Sequence, residues 1–326
     1  MITPYVLAKR RIGALLVLVV VGVIAAGGTW GQSASRPADS KPVELQLRDW
    51  VLHPPLVDDE QADPGLRIVS AAPNITEICC ALGLSRQLVG RTRFCTYPPA
   101  IQHVPSIGAL IDTNVEVLLH LKPDMILVAG RSRVLTERLT ARGLRLESLP
   151  DRSLADIFSA IRRAGSLARR PKTARELCTG IRAELDAVAK RFAHAPRARV
   201  LMVIGTLSDP PAPPFVAGPG SFYDDLLRQA GHQNVVESHG ASFAPLSLEF
   251  ILKTDPDVII ELDADGRARP NGDRDALRVW AKVGSLRAVA DRRIHVLSGP
   301  QHFLAGPRIA QTFEALCRAI AQEEDE

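Results

Sequence analysis

The chain is poor in cysteine, with five in 326 residues, and none of them form a Cys-x-x-Cys pair. That ratio excludes a small disulfide-built scaffold, and the spacing excludes a zinc ribbon or thioredoxin-type centre. The eight histidines (53, 103, 120, 194, 232, 239, 295 and 302) include no i,i+4 pair, which argues against a direct zinc or manganese site. A Gly-x-Ser-x-Gly elbow, a His-Glu-x-x-His helix and a phosphate-binding loop are also missing, so no motif supports an enzyme. Ser221, after Gly218-Pro219-Gly220, reads as a helix cap or anion-binding turn and not as a nucleophile. Charge of one sign is scarcely in excess: 40 Lys+Arg face 36 Asp+Glu, for a net +4. At 46% hydrophobic and 23% charged, the composition excludes disordered, collagen-like and low-complexity classes. The length suits one large or two medium domains.

What is present begins with a leader. Lys9-Arg10-Arg11 precede the 17 uncharged residues Ile12 to Gly28, the pattern of an export signal with its cations held in the cytoplasm. Ser33-Ala34-Ser35 offers a small-x-small cleavage pattern. The run falls only a little short of the roughly 20 apolar residues that span a bilayer, so an uncleaved N-terminal anchor is the alternative. No cysteine lies near its end, against a lipoprotein anchor. Without residues 1–35 the chain carries 37 basic and 36 acidic residues, a net +1, and a nucleic-acid partner loses its main support.

A linker rich in Pro, Asp and Ser follows over residues 36–65, with a short alternating strand expected at Val43–Val51. From residue 66 the pattern predicts strands at 67–71, 88–91, 124–129, 145–149, 200–204, 258–261 and 294–297. Helices are expected between them at 75–83, 115–121, 134–142, 153–168, 174–192, 247–253 and 307–322. Such alternation implies an α/β fold of two lobes with mainly parallel sheets. The expected divisions are an N-terminal lobe over 66–168, a bridging helix over 169–194 and a C-terminal lobe over 195–326. An internal repeat supports two lobes. Residues 115–127 align without gaps to 248–260, with Glu116/Glu249, Leu119/Leu252, Pro123/Pro256, Asp124/Asp257 and Ile126/Ile259 identical. Each copy reads as a short helix, stopped by proline, leading into a buried strand.

Several segments then recur in a telling order. They are Arg67-Ile-Val-Ser-Ala-Ala-Pro-Asn-Ile-Thr-Glu77, Ala81-Leu-Gly-Leu84, Leu88-Val-Gly-Arg-Thr-Arg-Phe-Cys-Thr-Tyr-Pro-Pro99, Ile107-Gly108 and Leu121-Lys-Pro-Asp-Met-Ile-Leu127. After them come Gly220-Ser-Phe-Tyr-Asp-Asp-Leu-Leu227, Gly231-His-Gln-Asn234, Leu246-Ser-Leu-Glu249, Pro256-Asp-Val-Ile259 and Gly306-Pro-Arg-Ile309. The set resembles the periplasmic substrate-binding proteins of ABC importers for vitamin B12 and ferric siderophores, the helical-backbone class. The resemblance implies two α/β lobes bridged by a rigid long helix, with the ligand held in a cleft between them. It implies binding and release without chemistry, so no enzyme and no resident cofactor; cobalt or iron belongs to the cargo. The expected partners are an ABC permease dimer and a corrinoid or ferric chelate, with no nucleic acid, and the chain is expected to be a monomer working outside the cytoplasm.

In that family a glutamate on each lobe docks onto permease arginines, and the resemblance matches these to Glu77 and Glu249. Both also fit helix starts: Asn74-x-x-Glu77 reads as a capping box, and Glu249 follows a Ser247 cap. The internal repeat pairs Glu249 with Glu116, which makes Glu116 a decoy on this assignment. For the pocket the resemblance points to loops after the strands. Arg93, Phe94, Tyr97 and Arg131 are the candidates on the first lobe, and Phe222, Phe243, His302 and Phe303 those on the second. Aromatic faces stack on a corrin or catecholate and arginines pair with anionic groups, although Phe222 also fits core packing. One departure is notable. Tryptophans expected in the cleft are missing, because the chain's three are Trp30, Trp50 and Trp280, and His302 stands where a tryptophan is common. An oxidising compartment permits one disulfide, Cys95 with Cys79 or Cys80; burial as free thiols is the alternative. Two other readings are a membrane-tethered ligand-sensing domain that keeps residues 12–28, and an exported α/β hydrolase.

Overall fold

A computed structural model describes residue 63 and residues 65–109, 112–130, 133–236 and 241–322. The leader, the strand expected at Val43–Val51, Trp30, Trp50 and Arg131 lie outside the described residues. Among the described residues no helix is long and apolar enough to cross a membrane. The chain divides into two units. Among the described residues, the first takes in those up to 198, 218–236, 241–242 and 304–322, and the second 199–217 and 243–303.

The first unit is built on four parallel strands, β1 (Ile68–Ser70), β2 (Leu88–Arg91), β3 (Met125–Ala129) and β4 (Leu146–Leu149), in the order β2-β1-β3-β4. Buried apolar runs such as Met125-Ile126-Leu127-Val128 suit strands that are covered on both faces. Helices α1 (Pro73–Ala81), α2 (Val115–His120), α3 (Arg133–Thr140) and α4 (Leu154–Leu167) accompany this sheet. Val69, Ile107, Leu118, Ile126, Val128 and Leu144 meet in one core beneath α2. Gly90 leaves room for this packing: a Cβ there would stand 2.8 Å from Leu121 Cδ1, and that side chain would have to shift. The 21-residue α5 (Pro171–Arg191) starts on a proline at its first turn and buries Ala174, Leu177, Cys178, Ile181 and Leu185 at helical spacing. It packs on α4 at Gly165, where a Cβ would come within 2.5 Å of Ala174 Cβ. Helix α6 (Phe222–Gln229), the two-residue strand β7 (Gln233–Asn234) and α10 (Ile309–Ala321) complete the unit.

The division therefore differs from the one expected at residue 195, since α6 and α10 group with the first unit. Backbone and ion-pair contacts give the reason: Phe222 N–H donates to Arg152 O at 2.7 Å, Leu154 N–H to Asp225 Oδ2 at 2.8 Å, and Arg191 pairs with Glu314 at 2.9 Å.

The second unit follows the strand order β10-β9-β5-β6-β8, with β5 (Arg199–Val203), β6 (Phe215–Ala217), β8 (Phe243–Pro245), β9 (Val258–Asp263) and β10 (Ile294–Ser298). β5, β9 and β10 are parallel, whereas β6 and β8 add an antiparallel edge. Its helices are α7 (Leu248–Thr254), α8 (Asp273–Trp280) and α9 (Arg287–Ala290).

Candidate functional site

One small module occurs in both units with the same hydrogen bonds. In the first, Asn114 caps α2 by accepting from Val117 N–H at 3.0 Å; in the second, Ser247 caps α7 by accepting from Phe250 N–H at 3.2 Å. A residue with positive φ follows each helix within two residues, Lys122 (45°) and Asp255 (43°), at aligned positions of the repeat. The strand that begins each sheet core is then tied to that end. Arg67 N–H donates to Asp124 Oδ2 at 2.7 Å, and Arg199 N–H to Asp257 Oδ2 at 2.8 Å. The two guanidinium groups cover the helix C-terminal carbonyls: Arg67 donates to Leu121 O at 2.8 Å, and Arg199 to Thr254 O at 2.6 Å. Cations at that end also oppose the helix dipole. The repeat seen in the sequence is thus a structural one.

The module fixes what each unit shows to solvent. Leu118 and Ile251 turn inward and are fully buried, while Glu116 and Glu249 stand exposed in the first helical turn. Neither glutamate has an ion-pair or hydrogen-bond partner among the described residues.

Glu77 is different. Its side chain is 2% exposed and holds Arg308 in a fork, Nε to Oε2 at 2.9 Å and Nη2 to Oε1 at 2.5 Å. Burial pushes its carboxyl upward, and the guanidinium pulls the other way. The capping box expected at Asn74-x-x-Glu77 is not formed, because Ala72 is the cap residue and Asn74 donates from Nδ2 to Ala305 O at 3.3 Å. A carboxylate enclosed in this way is not offered to a partner, so the docking role expected for Glu77 is corrected. Glu116, which the repeat aligns with Glu249, is the exposed glutamate of this unit's copy of the module.

The ligand-side candidates fall into separate groups. Arg93, Phe94 and Tyr97 share the turn after β2, at the C-terminal edge of the first sheet. Arg93 lies 5.1 Å from the Phe94 ring centroid and pairs with Asp112 at 3.1 Å. The Ala109 N–H, with Arg93 beside it, holds the Asp112 carboxyl below its usual range. The ring of Tyr97 is covered by Arg308 at 4.0 Å. Phe222 is buried at the start of α6 in the first unit, 4.0 Å from the Tyr223 ring, so it packs a core and does not belong to the second lobe. Phe243 is half-buried and stacks on Phe215 with centroids 6.4 Å apart. His302 and Phe303 are buried in a helical turn after β10, with His302 Nε2 3.2 Å from Gln301 Nε2.

Beneath the loops of the second unit lies a polar network that sequence reading missed. Glu261, fully buried in β9, accepts from Leu207 N–H at 2.7 Å, Trp280 Nε1 at 2.9 Å and Arg269 Nε at 2.8 Å. Arg269 also donates to Leu207 O at 2.6 Å and, through its N–H, to Asp263 Oδ2 at 2.9 Å. The loops after β5 and β9 are pinned to one carboxylate. All five cysteines are buried free thiols, so the bridge expected from Cys95 to Cys79 or Cys80 is not formed. The Cys95 sulfur lies 3.1 Å from the Thr92 hydroxyl, and burial pushes the Cys80 thiol up to about 12. Among the described residues no cluster of His, Cys, Asp or Glu could hold a metal ion.

The sequence model of a periplasmic binding protein matches residues 68–299. An uncharacterized ABC transporter substrate-binding lipoprotein of Bacillus subtilis is 24% identical over 322 residues, 96% of this chain and 98% of its own. A vitamin B12-binding protein of Salmonella paratyphi A is 24% identical over 258 residues, 78% of this chain and 90% of its own. Among solved structures, the periplasmic heme-binding protein of Roseiflexus in its apo form superposes with a TM-score of 0.66 at 27% identity, covering 79% of this chain and 98% of that one. A family match that runs from the first strand of one sheet to the end of the last strand of the other leaves one conclusion: the chain belongs to the periplasmic binding protein family.

Proposed function

We propose that this protein is an extracytoplasmic carrier that binds a metal-centred macrocycle or chelate, a corrinoid, heme or ferric siderophore, and delivers it to an ABC permease. The carrying observation is the duplicated module, which presents on each unit one exposed glutamate, Glu116 and Glu249, with no ion-pair or hydrogen-bond partner among the described residues. Carboxylates repeated on two units suit a partner that bears two matching cationic sockets. The relatives named for vitamin B12 and heme support the cargo class. The turn bearing Arg93, Phe94 and Tyr97 supplies aromatic and cationic groups that suit a flat anionic ligand. The apolar run after Lys9-Arg10-Arg11 accounts for export, and binding and release are the whole activity.

Mass spectrometry of the purified protein under native conditions, followed by titration with cyanocobalamin, hemin and a ferric-siderophore panel, tests the cargo. Failure to bind any of the three overturns it. Charge reversal at both docking sites (Glu116→Lys with Glu249→Lys) is expected to abolish cellular uptake while the ligand affinity stays at the parental value. A loss of affinity would instead place these residues at the ligand.

A further inference from the structure

We infer that Leu119 and Leu252 are the apolar anchors of the two docking faces, each seated in a recess of the permease beside the cation that Glu116 or Glu249 meets. The inference rests on the docking reading above and adds the chemistry of the partner. Among the described residues these two are the exposed large hydrophobics, 45% and 39% open to solvent. They occupy equivalent positions of the duplicated module, in separate units. Each stands three residues after an exposed glutamate, so carboxylate and leucine share one helix face. The core does not call for them, because Leu118 and Ile251 already fill the inward positions of the same helices at 0% exposure. In the second unit Leu252 lies against Gly284, where a Cβ would come 2.8 Å from its Cδ2, and is still 39% exposed.

A single exposed leucine needs no explanation, but the same one in both copies of a module, beside the same unpartnered anion, does. Charge decides among the occupants. A second copy of this chain meeting face to face would set glutamate against glutamate. An anionic lipid surface would repel the carboxylates. A protein socket with a cation flanked by an apolar recess satisfies both groups.

The test uses the full chain and membrane vesicles from the cells that produce it. A photoreactive amino acid is placed at Leu119, at Leu252 and, as a control, at the exposed Ala183 of α5. Probes at 119 and 252 are expected to cross-link one integral ABC permease, and the probe at 183 is not. The Leu119→Ser/Leu252→Ser variant should raise the half-saturating concentration on the vesicles at least about tenfold, with the melting temperature and the salt dependence of binding unchanged. The Glu116→Gln/Glu249→Gln variant should weaken binding and flatten its salt dependence. Leucine variants that saturate the vesicles as the parent does, while the charge variants fail, overturn the inference and leave the docking reading standing. Cross-links to a second copy of this chain or to lipid overturn it too. If the charge variants also saturate normally and neither probe reaches the permease, the docking reading itself has failed.

Discussion

Arg308 closes a two-bond fork on the carboxylate of Glu77, 231 residues earlier in the chain, with 2.9 Å and 2.5 Å contacts. The guanidinium also covers the Tyr97 ring at 4.0 Å, and Asn74 reaches Ala305 O, so the segment leading into α10 is tied to α1 at two points. An enclosed pair of this kind hardly stabilises relative to apolar packing, but breaking it strands a charge. Glu77→Gln is therefore expected to cost about 3–5 kcal/mol in denaturant unfolding, and the double change Glu77→Gln/Arg308→Met to recover most of it. The folded fraction of Glu77→Gln should still take up cargo. An uptake defect larger than the loss of folded protein would return Glu77 to the docking face.

Glu261 carries the equivalent burden in the second unit. Arg269 is 8% exposed and has its main counter-charge in that carboxylate. Glu261→Gln is expected to destabilise by about 3–5 kcal/mol, since it removes the anion and leaves a buried cation. Trp280→Phe removes one hydrogen bond and should cost only about 1–3 kcal/mol. Because Trp280 donates directly to Glu261, its fluorescence reports this unit's unfolding. A Glu261→Gln protein with parental midpoint would show that the network is dispensable.

Ligand affinity separates from packing at three phenylalanines. Phe94 and Phe243 are half-buried, whereas Phe222 is 3% exposed. Phe94→Ala and Phe243→Ala are expected to weaken cargo binding about tenfold each, the scale of one lost stacking contact, at near-parental stability. Phe222→Ala should leave affinity intact in the folded protein and lower stability by about 3–5 kcal/mol. Calorimetric titration beside thermal melts distinguishes the two patterns, and equal affinity losses at all three sites would contradict it.

The reasons why these features were or were not legible in the sequence are physical. Parallel strands buried on both faces are continuous apolar runs, so β2 at 88–91 and the start of β9 at 258 were readable to the residue. The edge strands β6 and β8 escaped: each has three residues, and Pro213-Pro214 and Pro245 break the pattern around them. Serine caps are local and were found, as Ser221 and Ser247 show by accepting from Asp224 and Phe250 N–H. The burial of Glu77 is invisible to local spacing, because its partner Arg308 lies 231 residues away. Glu116 was visible through the repeat, which carried both the anion and the leucine beside it. Of the two glutamates that the family resemblance points to, Glu249 is exposed and Glu77 is enclosed by Arg308.

Glu184 makes the stability of the first unit depend on pH. It lies half-buried on α5, and loss of hydration pushes its carboxyl up to about 7. The sign follows from that direction. A folded-state value above the ordinary 4.5 means that the native state favours the protonated form, so the contribution is fully present below about pH 4.5 and is lost as pH rises through about 7. Ionised Glu184 at pH 8 is thus a cost, reduced to about 1 kcal/mol by its partial contact with solvent. Glu184→Gln removes the charge and keeps the shape. The variant is expected to exceed the parent in stability by about 1 kcal/mol at pH 8 and to match it at pH 4, with the difference growing between them. Urea unfolding at stepped pH measures this directly. A difference that is constant across the range would trace the gain to packing, and one that grows toward acid would mean that the carboxylate is stabilised in the folded chain by a cation.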